Sequence, residues 1–364
     1  FHSTARWLEK SGGDRKKIVA CYLGAALSCI LACLSNAVAA VIPLLVAAWD
    51  MVMLERPKLL RIARGTAVLW VIGAATIVAK RLGDASAPVA EEYGVFTYQR
   101  LLVILNVYWL NLRTLAWPNP LTIDYWNVEP TGLLDPGVVL GGLAIGLTGI
   151  ALWKLRRWPM ALCGGLWFGI ALGPTAQIMP HHIDRADRFL YLPLVGLAVA
   201  ASVFLRTLGR RPKRWLAPAA VLMGTLVLLA LSARSIRHIR VWRDSITLWQ
   251  HCLDVNPNNA FAHACLADAL ADSGRFPEAI EHYEISLDAC PDDVATLSDY
   301  AFRLAACRQA EYRDYGRAIL LAEQGCRISN WKDSRIRHTL SLAHMNLATS
   351  LNATGQTESA IEHY

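Results

Sequence analysis

Hydrophobic residues come first in long, nearly unbroken runs and then, past about residue 240, in short clusters three and four positions apart. Long runs predict helices that cross a bilayer, at ~20 apolar residues each. Runs at 18–34, 37–54, 65–79, 136–153, 159–178, 189–205 and 215–231 predict about seven spans. The first two read as a hairpin broken at Ser35-Asn36, because one helix of their combined length would overshoot the bilayer. Residues 98–117 are apolar but interrupted by Arg100, Asn106, Asn111 and Arg113. They predict either a span or an interfacial or re-entrant segment.

The later clusters repeat. Trp249 and Pro257 recur 34 residues on as Tyr283 and Pro291, and Leu266, Ala267, Gly274 and Ala279 lie between at tetratricopeptide spacing. The pentapeptide Ala279-Ile280-Glu281-His282-Tyr283 returns as Ala360-Ile361-Glu362-His363-Tyr364, with Ala348 and Gly355 at matching offsets. A middle unit around Tyr300, Ala301 and Ala318 is irregular. Small residues at fixed offsets let paired helices pack closely and stack on their neighbours. The expected fold is therefore all-α: a polytopic transmembrane helical bundle over 1–243, followed by a tetratricopeptide-repeat α-solenoid over 244–364.

Charge sharpens that division. Residues 1–243 hold 27 Lys and Arg against 12 Asp and Glu, and residues 244–364 hold 9 against 17. The basic excess flanks apolar runs, as membrane topology demands, so nucleic-acid binding is not inferred. The basic stretches at 14–17, 55–64, 154–157 and 206–214 belong on the cytoplasmic side by the positive-inside rule. All four fit one side only if 98–117 does not cross fully. That places residues 179–188, the loop around Asp124 and the repeats on the non-cytoplasmic side, in a bacterial periplasm or an endoplasmic-reticulum lumen. The nine cysteines form no Cys-x-x-Cys and read as small core residues. The chain begins at Phe1 and ends inside a repeat pattern, and is expected to be a fragment.

Chemistry concentrates between the fifth and sixth apolar runs, in His181-His182-Ile183-Asp184-Arg185-Ala186-Asp187-Arg188. Ionisable residues at a membrane face mark a functional site by default. Against that stands the reading in which Arg185 and Arg188 anchor a span at the headgroups and Asp187 caps the helix. His181 and His182 lack a third ligand at a telling spacing, so no metal site is expected. Glu91-Glu92 reads as a solvated pair, and Asp50 as a side chain snorkelling to the interface. Asp268 and Asp272, one turn apart, either line an acidic surface or keep it soluble. Asn352-Ala353-Thr354 fits a glycosylation sequon. No P-loop, nucleophile elbow or zinc-protease motif occurs, and no cofactor is evident.

The order of motifs then carries a resemblance. Leu34-Ser35 stands before Pro43 and Asp50; Trp117-Pro118, Leu121 and Asp124-Tyr125 follow; next come Ala186-Asp187-Arg188-x-x-Tyr191-x-Pro193, Gly196, Trp242 and Leu248-Trp249, and finally the repeats. This resembles the transmembrane and tetratricopeptide-repeat O-mannosyltransferases and their bacterial relatives, membrane glycosyltransferases of the C superfamily. The resemblance implies a polyprenyl-phosphate sugar as donor, membrane lipid as surroundings, and a protein or peptide acceptor held by the repeats. It implies substrate binding by Arg188, Asp187 and Tyr191, with His181 and His182 beside them, and a catalytic acid upstream of Phe1. Asn36 departs from it, since a lysine is usual after the serine. The alternative function is a non-catalytic, membrane-anchored repeat scaffold.

Overall fold

The computed structural model describes residues 15–35, 37–54, 59–84, 97–118, 120–125, 130–176, 185–209, 215–307, 309–356, 359 and 361–362. They fold into helices and connecting turns, with no strand among the described residues. Two units form: Phe1–Leu121 with Asn127–Ala230, and Thr122–Trp126 with Leu231–Tyr364.

The first unit begins with α1 (Arg15–Ser35), a 3-10 turn (Ala37–Val41), α2 (Ile42–Met53) and α3 (Leu59–Asp84). Pro43 sits in the first turn of α2, where a missing N–H costs nothing. Cys29, Cys33 and Leu69 form a small core between α1 and α3. The unit continues through α4 (Tyr98–Ala116), α5 (Pro136–Leu155), α6 (Pro159–Leu172) and α7 (Tyr191–Gly209). Thr97 caps α4 by accepting from the Arg100 amide, and Asp135 caps α5 by accepting from the Gly137 amide. α5 and α6 each start on a proline, which pre-sets the backbone for the first turn. Tyr108 and Thr148 bond through their hydroxyls at 2.8 Å, joining α4 to α5. Asp50 is 1 % exposed on α2, so it is enclosed by the protein and does not reach out to an interface as expected.

α6 and α7 pack backbone against backbone where Gly164 meets Gly196. A side-chain carbon on Gly196 would strike the Gly164 carbonyl oxygen and come within 2.7 Å of the Phe168 amide nitrogen. Trp167 locks the same crossing, its Nε1 donating to the Leu192 carbonyl at 2.9 Å. Small residues at such a crossing let backbones touch, and dispersion rather than the hydrophobic effect holds helices together in lipid.

Among the described residues, four stretches are long and apolar enough to cross a membrane: Ile62–Ala79, Pro136–Leu155, Asp187–Thr207 and Pro218–Trp242. Val19–Ser35, Ala39–Met53 and Pro159–Leu172 are apolar but shorter. α4 is in neither group, because its polar positions lower its hydropathy.

α8 (Leu216–Ile239) leads through the turn Arg240–Trp242 into the second unit: α9 (Ser245–Val255), α10 (Ala260–Asp272), α11 (Phe276–Ala289), α12 (Val294–Ala306), α13 (Tyr315–Ile328) and α14 (Ser334–Ala353). Each helix packs on the next, and α14 also packs on α12. Ala267, Ala279, Ala301, Ala318, Ala322 and Ala343 are essentially fully buried at the contacts, and the rings of Tyr283 and Tyr300 stack at 4.8 Å between them. Asp244, Asn259, Asp293, Asp314 and Asp333 each cap the helix that follows. Their side chains satisfy amides that the helix itself leaves without partners. Gly274 and Gly355 both stand at φ +82°, a left-handed turn that glycine adopts without strain.

Candidate functional site

The backbone entering α7 is fixed from two sides. Arg185 is buried, and its guanidinium donates to the Leu110 carbonyl at 3.3 Å and to the Thr114 hydroxyl. Those acceptors lie four residues apart on α4, so one side chain staples the loop to the last turns of that helix. Five residues further on, Leu190 enters a core with Tyr108, Ala144, Phe168 and Leu172. Residues 187–190 between these anchors form a 3-10 turn.

That turn turns Arg188 outward. Arg188 is exposed, with its guanidinium carbon 5.4 Å from the centre of the Phe189 ring, and Tyr191 is 74 % exposed. Three residues make a full 3-10 turn, so Arg188 and Tyr191 project along one line at the end of an apolar helix. The cap position is Ala186. Asp187 follows it in the first turn, where a negative charge faces unpaired amides. The arrangement offers an anion a planar cation and a phenol side by side. His181 and His182, like Glu91 and Glu92, lie outside the described residues.

Arg185, part of the ionisable cluster read from the sequence, is here a structural staple and no headgroup anchor, and the sequence did not tie Asn111 to it. Asn111 is 2 % exposed one turn before Thr114, and its Nδ2 has no hydrogen-bond partner among the described residues. The signal was present in the spacing: Arg100, Asn111 and Thr114 fall on one stripe of α4 at intervals of 11 and 3 residues. No group of three metal-capable side chains occurs among the described residues.

In the second unit, Asp268 and Asp272 do not form an open acidic surface. Arg303 of α12 bonds both carboxylates, reaching Asp268 at 3.1 Å, and the Tyr283 hydroxyl donates to the same Asp268 oxygen at 2.6 Å. Burial, and then the neighbouring Asp268, raises the Asp299 carboxyl above its ordinary range. The sequon residue Asn352 lies in the last turn of α14 and is exposed.

Half of the chain aligns with animal proteins of one kind. Over 181 residues it is 25% identical to Protein O-mannosyl-transferase TMTC1 of Mus musculus, covering 50% of this chain and 19% of that protein. The human TMTC1 is 28% identical over the same length, covering 50% of this chain and 20% of that protein, and Protein O-mannosyl-transferase TMTC4 of Mus musculus is 35% identical over 98 residues, covering 27% and 13%. Its curated homologues are protein O-mannosyl-transferases. The aligned part spans about a fifth of the length of the TMTC1 relatives. No family model and no solved structure matches the chain.

Beside these O-mannosyl-transferase relatives, one feature of the second unit gives a test of its own. His263 and His282 face each other with their Nδ1 atoms 2.9 Å apart, and His263 Nε2 lies 3.0 Å from the Pro257 carbonyl. A carbonyl only accepts, so His263 carries its proton on Nε2, and His282 donates from Nδ1. Burial, and then His263, lowers the His282 pKa below its ordinary 6.5, against smaller opposing effects of Glu281 and Glu278. The folded state therefore favours neutral His282. Its contribution is complete above pH 6.5 and is lost as pH falls below 6.5 toward the folded pKa. Denaturation of the intact protein at pH 7.5 and pH 5 is expected to show a larger acid loss in wild type than in His282→Gln. Equal losses would remove His282 from the acid response.

Proposed function

We propose that this chain is part of a membrane glycosyltransferase that moves a sugar, mannose by analogy with its homologues, from a polyprenyl phosphate to a protein hydroxyl. The observation that carries this reading is the division of labour at 185–191. Arg185 holds the backbone, which leaves Arg188 and Tyr191 outward at the end of a helix apolar enough for a bilayer. A guanidinium there meets a lipid phosphate at headgroup level, and its fork binds two phosphate oxygens at once. In the transfer, the acceptor oxygen bonds to the anomeric carbon as the bond from that carbon to phosphate breaks. The hydroxyl proton leaves to a base, which is not assigned to a residue of this chain. Charge builds on the departing phosphate, and a cation already in place stabilises it.

Residues 244–364 serve in this reading as a tetratricopeptide-repeat array on the non-cytoplasmic side that holds the protein acceptor. The buried alanines, the recurring helix caps and the paired Gly274 and Gly355 turns support a repeat architecture. Tethering an acceptor beside the transfer site raises its effective concentration without any new contact.

The test is transfer of labelled mannose from a polyprenyl-phosphate donor by membranes holding the full-length protein at matched expression. Arg188→Lys keeps the charge but not the fork, and is expected to lower transfer about tenfold, with Arg188→Ala lower still. Equal transfer by wild type and Arg188→Ala would reduce Arg188 to a headgroup anchor. Absence of transfer in wild type, with protein capture by residues 244–364 retained, would turn the function to that of a scaffold.

A further inference from the structure

Residues 122–125 stand between α4 and α5 in the chain, deep inside the sequence of the first unit, yet they fold with the second. They lie against its first two helices. The Asp124 carboxylate accepts from Asn259 Nδ2 at 3.0 Å, and the Asp124 carbonyl oxygen lies 3.6 Å from Cys252 Sγ, which donates to it. Cys252 and Asn259 are both 0 % exposed, and Thr122 is 6 % exposed.

Asn259 shows why the contact matters. Its Oδ1 accepts from the Ala262 amide at 3.0 Å and caps α10, which fixes the amide so that Nδ2 points the other way. Within the helices, among the described residues, that nitrogen finds the Cys252 sulfur at 3.7 Å, a weak acceptor. A buried donor without a good acceptor is costly, and a carboxylate is the strongest acceptor a side chain offers. The loop between α4 and α5 brings one across 135 residues of sequence.

We propose that residues 122–125 are a strap that closes the first hairpin of the helical array, with Asp124 as its latch on Asn259 and Cys252 as the side chain it covers. The strap makes α9, α10 and residues 122–125 one cooperative element. Drawing Asp124 away opens the first hairpin locally and leaves α12 to α14 folded. Burial, and secondarily the Asp124 charge, raises the Cys252 thiol above its ordinary value, so the closed state is also chemically quiet.

Site-resolved alkylation of the full chain in detergent, with N-ethylmaleimide and mass spectrometry at each cysteine, tests this. Cys326 in α13 is likewise 0 % exposed and reports on the rest of the array. Asp124→Ala is expected to speed Cys252 labelling about tenfold or more with Cys326 unchanged. Asp124→Asn keeps a side-chain oxygen for Asn259 and is expected to stay within about threefold of wild type. Equal Cys252 rates in wild type and Asp124→Ala would overturn the strap. So would Cys252 and Cys326 rising together, since Asp124 would then support the whole array, or Asp124→Asn labelling as fast as Asp124→Ala.

Discussion

Gly196→Leu is expected to prevent assembly of the first unit. The new side chain has to enter a crossing where the Gly164 carbonyl, the Phe168 amide and the Trp167 side chain already fill the space, and two of these are backbone. Backbone cannot rotate out of the way as a side-chain tip can, so α6 and α7 must separate. Overpacking typically costs ~1–3 kcal/mol, and at a backbone contact the loss belongs at or above the top of that range. Separation also breaks the Trp167 bond to the Leu192 carbonyl and pulls the 187–190 turn away from its core. The control is Gly149→Leu in α5, where an added carbon meets nothing within 4 Å. That change is expected to be neutral or to stabilise by up to about 1 kcal/mol through helix propensity. Thermal denaturation in detergent, followed by size-exclusion chromatography, separates the two variants. Equal behaviour would mean that α6 and α7 do not touch at Gly196.

Arg185→Ala and Arg188→Ala, three residues apart, are expected to fail in different ways. Arg185 is buried with its guanidinium on Leu110 and Thr114. Bonds to charged groups contribute ~1.5–3 kcal/mol each, so truncation is expected to cost about 3 kcal/mol of stability and to release the loop from α4. Arg188 is exposed, and its removal belongs among surface changes of about 0.5 kcal/mol or less. Under the proposed function both variants lose sugar transfer, but only Arg185→Ala loses stability with it. Melting curves and transfer assays on the same preparations read the two effects apart. An Arg185→Ala protein that melts like wild type would contradict the staple. An Arg188→Ala protein that melts as low as Arg185→Ala would give both arginines the same structural role.

Much of this architecture was legible without coordinates. Hydrophobic period is a local property, so the run at 136–153 announced α5. Ala267 and Ala279 stood out as small residues among larger apolar ones, and both are buried where α10 packs on α11. The cluster ending in Arg188 was also legible, because ionisable residues beside an apolar run stand out against their background.

Partners distant in sequence were not legible. Asp268 and Asp272 read as an acidic pair until Arg303 arrived from α12, 31 residues beyond Asp272, to take up both. Asp50 read as interfacial, because nothing around it in sequence discloses that it is buried. Arg185 and Arg188 were indistinguishable as two basic residues beside a span, and only the approach of α4 buries one and leaves the other exposed. Asp124 carries no local mark of its tie to Asn259. By itself the sequence determined that the chain is helical and that its first part carries long apolar helices, because those depend on neighbours within a few residues. Only the tertiary structure decided which polar groups meet. The partner that offsets the cost of burying a polar group can come from anywhere in the chain.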